Sequence, residues 1–169
     1  MKIENVMAYD EARYLEIPSM DDENPIELMD IGITKFDENS NPTEKQKQYI
    51  GQDSKTNIVT GFDNVFDIES DLIKNDKVIQ DLYGIFRMRK TGVEAQRTLY
   101  IVELWNPVSE KANTFKARKI VVTAVIGSKL STPGEEITFT GSLKGVTDFT
   151  DGYFDTEKKK FDTDSSFPM

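Results

Sequence analysis

The sequence predicts a mainly β fold with one amphipathic helix, and three observations carry this prediction. Several stretches alternate apolar and polar residues with a period of two, which is typical of half-buried strands. Segments rich in Gly, Pro, Asn, Asp and Ser separate these stretches and have the composition of turns. Only one stretch, Asn75 to Gly92, is clearly helical, because its apolar residues recur at helical spacing.

Composition bounds the classes of function. The chain has 169 residues, of which 37% are hydrophobic and 30% charged, and its apolar runs are too short to span a membrane, so we expect one soluble domain. It contains neither cysteine nor histidine, which excludes disulfides, thiolate zinc sites and Ser-His or Cys-His nucleophiles. We therefore predict no catalytic residues, no metal and no cofactor, and the protein is not expected to be an enzyme.

Charge is unevenly placed along the chain. Residues 1–85 hold 19 acids and 8 bases, whereas residues 86–169 hold 11 acids and 13 bases, within a net charge of −9. Because Lys and Arg that neutralise phosphates carry much of the affinity for nucleic acid, such a chain is a poor candidate for gripping it. The charge suits a protein that stands near nucleic acid and repels it.

The N-terminal part predicts an arm. The run "PSMDDENP" (Pro18 to Pro25) has two prolines, an acidic stretch and little to bury. We expect residues 1–27 to form an arm with one short strand near Ala12 to Ile17. Residues 28–161 are expected to form a β-domain, and residues 162–169 a polar tail.

Three stretches between the arm and the helix predict strands. Glu27 to Asp37 alternates like a half-buried strand, and Lys45 to Gly51 like a polar strand with an apolar end. The alternation is clearest in Thr56 to Ser70, where one face is mostly aromatic and apolar and the other is acidic. The first face comprises Thr60, Phe62, Asn64, Phe66 and Ile68; the second comprises Val59, Gly61, Asp63, Val65, Asp67 and Glu69.

The helix is predicted over about residues 75–90. Asn75 or Asp76 can cap its first turn, and Thr91-Gly92 is expected to end it. One apolar stripe predicts that the helix lies against a sheet or barrel, while a basic end suits the helix dipole. The stripe comprises Val78, Ile79, Leu82, Ile85 and Phe86, and the basic end comprises Arg87, Arg89 and Lys90.

Further strands are predicted after the helix, over Arg97 to Trp105, Asn113 to Gly127 and Glu135 to Gly145. A turn at Asp151-Gly152 and a short strand through Phe154 are expected to follow, then a Lys-rich chain up to residue 161.

Ligand sites are less favoured than ordinary structural roles. "DFTDGYFDTE" lacks the acid and glycine spacing of an EF-hand, and the acids of "MDDEN" are expected to be solvated. Tyr100, Trp105 and Phe115 are better suited to core packing than to a sugar-stacking platform. A carboxylate pair for glycoside hydrolysis stays open, because 30 acids single out no pair.

Short motifs, taken in chain order, add a resemblance. They are "LMDIGITKFDENSNPTEKQKQYIG", "IVTGFDNVFDIESD", the helix with its basic end and Thr-Gly turn, "IVELWNP", "FKARKIVVTAV" and "SLKGVTDFTDGYFDTEKKKF". Their order and spacing resemble those of the major tail tube proteins of long, non-contractile (siphovirus-type) bacteriophage tails, in the form common in phages of Gram-positive hosts. The resemblance runs from about Leu28 to Phe161.

The resemblance implies a β-sandwich or small barrel with the helix on its outward face. It implies hexameric rings that build one continuous inner barrel and stack into a tube, through which DNA passes without specific binding. The implied partners are further copies of the chain and the tape measure, terminator and distal tail proteins. The implied location is the virion tail, and the host cytoplasm during assembly. The alternatives are a tail terminator or head–tail connector, or a non-viral β-sandwich binding module.

Candidate residues follow from these patterns. Asp63, Asp67 and Glu69 share the acidic face of one predicted strand and are expected to line the bore, although a solvated outer face would look the same. The arm and the loop Asp37 to Lys55 are expected to contact neighbours, and strand edges within "KQKQYI" or "EEITFT" to pair between subunits. The candidate contact residues are Asp37, Glu38, Asn39, Asn41, Pro42, Lys47, Tyr49 and Thr138.

Overall fold

A computed structural model describes residues 1–18 and 23–163 as a mainly β fold with one helix. The strands are β1 Glu11–Glu16, β2 Ile26–Leu28, β3 Ile33–Asn39, β4 Pro42–Lys47, β5 Thr56–Phe62, β6 Val65–Asp71, β7 Gln96–Pro107, β8 Thr114–Leu130, β9 Thr138–Gly145, β10 Thr150–Asp155 and β11 Lys160–Asp162. The helix, α1, spans Lys77–Arg87, and two 3-10 segments span Ala8–Asp10 and Gly92–Ala95. The predicted fold class is confirmed.

Nine of the described strands form one antiparallel sheet in the order β2-β1-β7-β8-β9-β6-β3, with β10 paired to β8 and to β11. The long strand β8 belongs to both halves of this sheet: its first part pairs with β7 and β10, and its last part with β9. The two halves pack face to face like a sandwich, and the described strands do not close into a barrel. The sandwich is therefore the architecture observed, of the two that the resemblance implied.

The main core lies between these layers and under the helix. Fully buried side chains come from both layers. The β1-β7-β8 layer supplies Leu15, Leu99, Ile101, Ile120 and Val122, and the β6-β9 layer supplies Phe66, Ile68, Phe139 and Leu143. A second cluster, on the other face of β1 and β7, contains Tyr14, Tyr100 and Phe154; the rings of Tyr14 and Phe154 lie 4.5 Å apart. This second cluster joins the β10-β11 hairpin to the body.

Helix α1 begins and ends at residues that satisfy its free backbone groups. The Asp76 carboxylate accepts a hydrogen bond from the Ile79 amide at 2.9 Å, as predicted for a cap. The predicted stripe is buried at Val78, Ile79, Leu82 and Ile85, and half-buried at Phe86. The helix ends four residues before the expected Thr91-Gly92 stop, because Arg89 takes a left-handed φ of 51° and the Lys90 amide bonds to the Ile85 carbonyl at 3.1 Å.

Two predicted strands are each broken into two. The alternation over Thr56 to Ser70 continues on both sides of a break at residues 63–64, where β5 ends and β6 begins. The stretch Glu27 to Asp37 contains the end of β2, a turn and most of β3. Gly32 has a φ of 82° in that turn, a conformation that glycine adopts without strain.

The predicted turn at Asp151-Gly152 is wrong, because both residues lie inside β10. Gly152 is needed there for close approach: a Cβ would collide with the Asp162 carbonyl oxygen and the Phe161 ring of β11. The chain reverses after β10 instead, where Lys159 has a φ of 50°.

The predicted arm is partly built into the sheet. Its expected short strand exists as β1, but β1 lies between β2 and β7, and Leu15 is completely buried. The residues before the 3-10 segment, Met1 to Met7, have no regular structure and are exposed. Of the acidic run Met20 to Asn24, residues 20–22 lie outside the described residues, as do residues 164–169 of the predicted tail.

Candidate assembly surfaces

Two strand edges of the same four-stranded section, β8-β9-β6-β3, have no partner among the described strands. Strand β3 is the last of the sheet and pairs only with β6. Residues 124–130 of β8 pair with β9, but β7 stops opposite Thr123 and leaves their other edge open. Unpaired rows of backbone N–H and C=O groups are templates for pairing with another chain.

Both of these outer strands carry a β-bulge, whereas the two inner strands pair in regular register. Between Ile33 and Lys35 of β3 the extra residue is Thr34, and between Ile126 and Ser128 of β8 it is Gly127. The bulges lie at neighbouring levels of the sheet, since Lys35 pairs with Glu69 and Ser128 pairs with Thr140 opposite Glu69. Over this height, each outer strand therefore has one residue more than β6 and β9 have.

The outer face of strands β3 and β6 is acidic. Asp67 and Glu69 point away from the core, because Phe66 and Ile68 between and beside them point into it. Asp37 lies directly opposite Asp67 on the neighbouring strand. The Asp67 carboxylate accepts hydrogen bonds from Ser142 Oγ at 3.0 Å and Asn39 Nδ2 at 3.1 Å, and Lys35 Nζ lies 3.7 Å from both Asp37 and Glu69. One lysine thus stands among three carboxylates on an open face.

Asp63, the third predicted lumen residue, lies elsewhere. It occupies the break between β5 and β6, where its amide bonds to the Ser40 carbonyl at 2.9 Å. It lines a small cavity with Asp148 and Gly145 at the end of the sheet. The structure therefore brings Asp67 and Glu69 together, adds Asp37 to them, and separates Asp63 from all three.

Strands β4 and β5 form a hairpin that is a separate two-stranded sheet. Except for half-buried Gly61, all residues of both strands are exposed, and so is the tip between them. Apolar side chains are exposed as well: Ile50 fully, Phe62 to 66% and Tyr49 to 58%. A two-stranded hairpin is marginally stable alone in water, and exposed apolar area of this kind marks an interaction surface.

The predicted contact residues divide between β3 and the hairpin. Asn41, Pro42, Lys47 and Tyr49 lie on the hairpin or at its base. Asp37, Glu38 and Asn39 lie in β3.

Glu38 is already engaged within the subunit. Its two carboxylate oxygens accept hydrogen bonds from the Arg118 guanidinium, each at 3.0 Å, and the guanidinium stacks on the Phe149 ring. Burial lowers the pKa of Arg118, but the hydrogen bonds and charge of Glu38, with the nearby acids Glu103 and Glu11, raise it above its ordinary value. This pair fastens the open strand β3 to β8.

Thr138 is not at a free edge, which corrects the expectation for "EEITFT". It pairs with Asp71 on one side and with Leu130 on the other. Its partners lie 67 residues upstream and 8 residues upstream in the chain, so the motif alone could not reveal that both sides are occupied.

Sequence reasoning missed one feature and predicted a second only as part of an arm that contacts neighbours, without its apolar side chains. The first is the open edge of β8, which looks like the rest of a strand predicted as one piece. The second is the N-terminal segment, where Met1, Ile3, Val6 and Met7 are exposed. It leads away from a groove of about 650 Å³ between β1 and β3, lined in part by Tyr9, Leu28 and Phe36. Five large apolar residues within the first nine positions are the signal that could have found this segment.

No helix in the described part of the chain is long and apolar enough to cross a bilayer. Within residues 1–18 and 23–163, no group of three or more Asp and Glu side chains is arranged to hold a metal ion.

No family model and no curated protein matches this sequence. Solved structures do match its fold. A chain of the structure titled "Tail of empty GTA particle computed with helical refinement, C6 symmetry" superposes with a TM-score of 0.55 over 86% of this chain and 98% of that one, at 7% identity. This protein has that fold. A chain of the "Cryo-EM structure of the anti-feeding prophage (AFP) baseplate, 6-fold symmetrised" gives a TM-score of 0.50 over 89% of this chain and 97% of that one, at 8% identity.

Proposed function

We propose that this protein is a structural subunit of a phage tail tube, assembling as stacked hexameric rings that form the conduit for DNA. The observation that carries the proposal is the match to the GTA tail chain, since 98% of that chain is covered. This role requires no catalytic group. It requires surfaces through which identical subunits bind each other, and an inner wall whose charge repels DNA.

The two open edges suit closure of a ring. Strand β3 of one subunit would pair with residues 124–130 of β8 in the next, so that the four-stranded sections join into one continuous sheet. This contact joins two different surfaces of the subunit. Such a head-to-tail contact forms a closed ring when the rotation from each subunit to the next adds up to a full turn.

The acidic outer face suits the bore. When the sections join, Asp37, Asp67 and Glu69 of every subunit lie on the same side of the wall, and their repulsion of phosphates opposes adsorption of DNA. The further partners are the tape measure, terminator and distal tail proteins, and the location is the virion tail, with assembly in the host cytoplasm.

A ring-forming tail component that does not polymerise is the second candidate, favoured by the likeness to a baseplate chain. Electron microscopy of the purified protein at high concentration separates the two. Tubes support the tube subunit and single six-fold rings support the second candidate. Monomers at every concentration would contradict both and favour a binding module.

A further inference from the structure

The β4-β5 hairpin has two faces of different chemistry. Cross-strand pairs place Lys45 beside Ile58 and Lys47 beside Thr56. Because side chains alternate across a strand, these residues share one face, called here the lysine face. The hairpin and its tip carry Lys45, Lys47 and Lys55 against Glu44 and Asp53, so the hairpin is locally positive within an acidic half of the chain.

The hairpin leaves the sheet at one end, where Asn39 pairs with Val65 and Val65 pairs with Lys144. At the opposite end, Asp71 pairs with Thr138 and Thr138 with Leu130. The seven residues of β6 span the distance between these ends, about 20 Å at ~3.3 Å per residue.

That opposite end presents exposed apolar and acidic residues together. The Leu72 amide donates to the Ile137 carbonyl at 2.8 Å, which holds the β8-β9 loop beside the end of β6. Glu135 and Glu136 are exposed in this loop, and neither forms an ion pair within the described residues. We call the surface formed by Ile31, Leu130, Glu135, Glu136 and Ile137 the loop end; its three apolar members are exposed.

We propose that the lysine face of the hairpin docks on the loop end of a second copy of this chain. This inference rests on the proposed stacking of rings, and it names the surface that receives the hairpin. In a stack of subunits that all point the same way, the end of the sheet bearing the hairpin always faces the opposite end of the next subunit. The charges agree, because lysines meet glutamates, and none of the four forms an ion pair within the described residues. Exposed apolar side chains, Ile58 on the hairpin and those of the loop end, become buried in the contact.

A charge exchange tests this docking. K45E/K47E and E135K/E136K should each stop assembly at single rings, because each places like charges across the contact. The variant that combines all four substitutions keeps the wild-type net charge of −9 and should form tubes again. The control K45E/K47E/E110K/D151K, whose two added lysines lie on exposed positions away from both surfaces, has the same net charge but lacks the matching glutamate exchange, so it should stay at single rings.

Lengths of assemblies are measured by negative-stain microscopy and sedimentation. Tubes of normal length from either double variant overturn the inference, and so does a failure of the four-fold exchange to restore tubes. In both of those outcomes the wild-type protein still forms tubes, and the proposed function stands. If the wild-type protein forms no tubes, the proposed stacking of rings is contradicted, and the docking inferred from it is contradicted as well.

Discussion

The Arg97 guanidinium and the Asp81 carboxylate join the start of β7 to the middle of helix α1 by two parallel hydrogen bonds, Nε to Oδ2 at 2.7 Å and Nη2 to Oδ1 at 3.0 Å. Nη1 donates further to the carbonyls of Glu94 and Gln96. Arg97 is only 4% exposed, so every one of these bonds is shielded from water. The pair fixes helix α1 against the sheet.

Asp81→Ala should therefore destabilise the fold strongly. It leaves a buried guanidinium without its counter-charge, which costs about 3–5 kcal/mol of unfolding free energy. Urea unfolding followed by circular dichroism measures the loss. The matched control is Lys77→Ala on the same helix, whose pair with Glu27 is largely exposed and should be worth about 1 kcal/mol or less. Equal losses in the two variants would show that the Arg97 pair is not structural.

Stability should fall at alkaline pH because of Tyr100. Burial, then the charge of Glu16 and its hydrogen bond from the Tyr100 hydroxyl at 3.0 Å, raise the pKa of Tyr100 well above its ordinary value. The folded state then holds this proton more tightly than the unfolded state. The resulting stability is complete below about pH 10, the ordinary tyrosine pKa, and is lost as pH rises beyond it.

The comparison that isolates this effect is Tyr100→Phe. Its unfolding free energy should change less between about pH 8 and pH 11 than that of the wild type, because one proton linkage is gone. Tyr49→Phe, at the exposed hairpin tip, should retain the wild-type loss. An unchanged alkaline loss in Tyr100→Phe would contradict the linkage.

Removal of residues 1–7 should leave a folded monomer that assembles poorly. The segment has exposed apolar side chains and no regular structure, so the sheet does not depend on it. Removal of residues 1–16 should instead unfold the monomer, because it deletes β1 from the interior of the sheet. Thermal melting and microscopy measure the two properties. Long tubes from the shorter deletion would exclude a role for the segment in assembly.

Proline in β3 should separate folding from ring closure. Successive backbone N–H groups of a strand point in opposite directions, so one of Asp37→Pro and Glu38→Pro affects the open edge and the other the β6 side. Glu38→Pro also removes the carboxylate that pairs with Arg118, so Glu38→Ala is its control. The variant that keeps the monomer's circular dichroism should lose rings. Thr138→Pro should disturb the monomer, since β9 is paired on both sides. Rings from both β3 variants would exclude this edge.

Tubes built from Asp37→Lys/Glu69→Lys should retain DNA that wild-type tubes release. The change puts cations on the outer face of β3 and β6, where each acts over a Debye length of about 10 Å at 0.1 M salt. Co-sedimentation of short DNA with assembled tubes measures retention, which should decrease steeply with salt. Asp63→Lys should retain less, because Asp63 lies off this face. Free passage of DNA through the double variant would place the bore elsewhere.

Local chemistry made some elements predictable and left others out of reach. The stripe and cap of α1 are set by residues within one or two turns, so the sequence predicts them well. The sequence also predicts that Phe66 and Asp67 lie on opposite faces of their strand, because side chains alternate whichever strand is the partner. The burial of β1 was not predictable, because its partner β7 lies more than 80 residues away. The turn predicted at Asp151-Gly152 was wrong because the sequence does not distinguish a glycine needed for close packing from a glycine needed for a turn.

The bulges of β3 and β8 bear on the register in which copies of this section would pair edge to edge. Each of these edge strands has one extra residue, at neighbouring levels of the sheet. Their residue spacing therefore matches each other better than it matches that of the inner strands β6 and β9. If only one of the two edge strands had a bulge, the register between neighbouring subunits would shift by one residue beyond it. That shift would move side chains from one face of the wall to the other. Equal bulges keep the alternation in phase across every subunit contact, so Asp37, Asp67 and Glu69 of one copy would lie on the same side of the wall as those of the next.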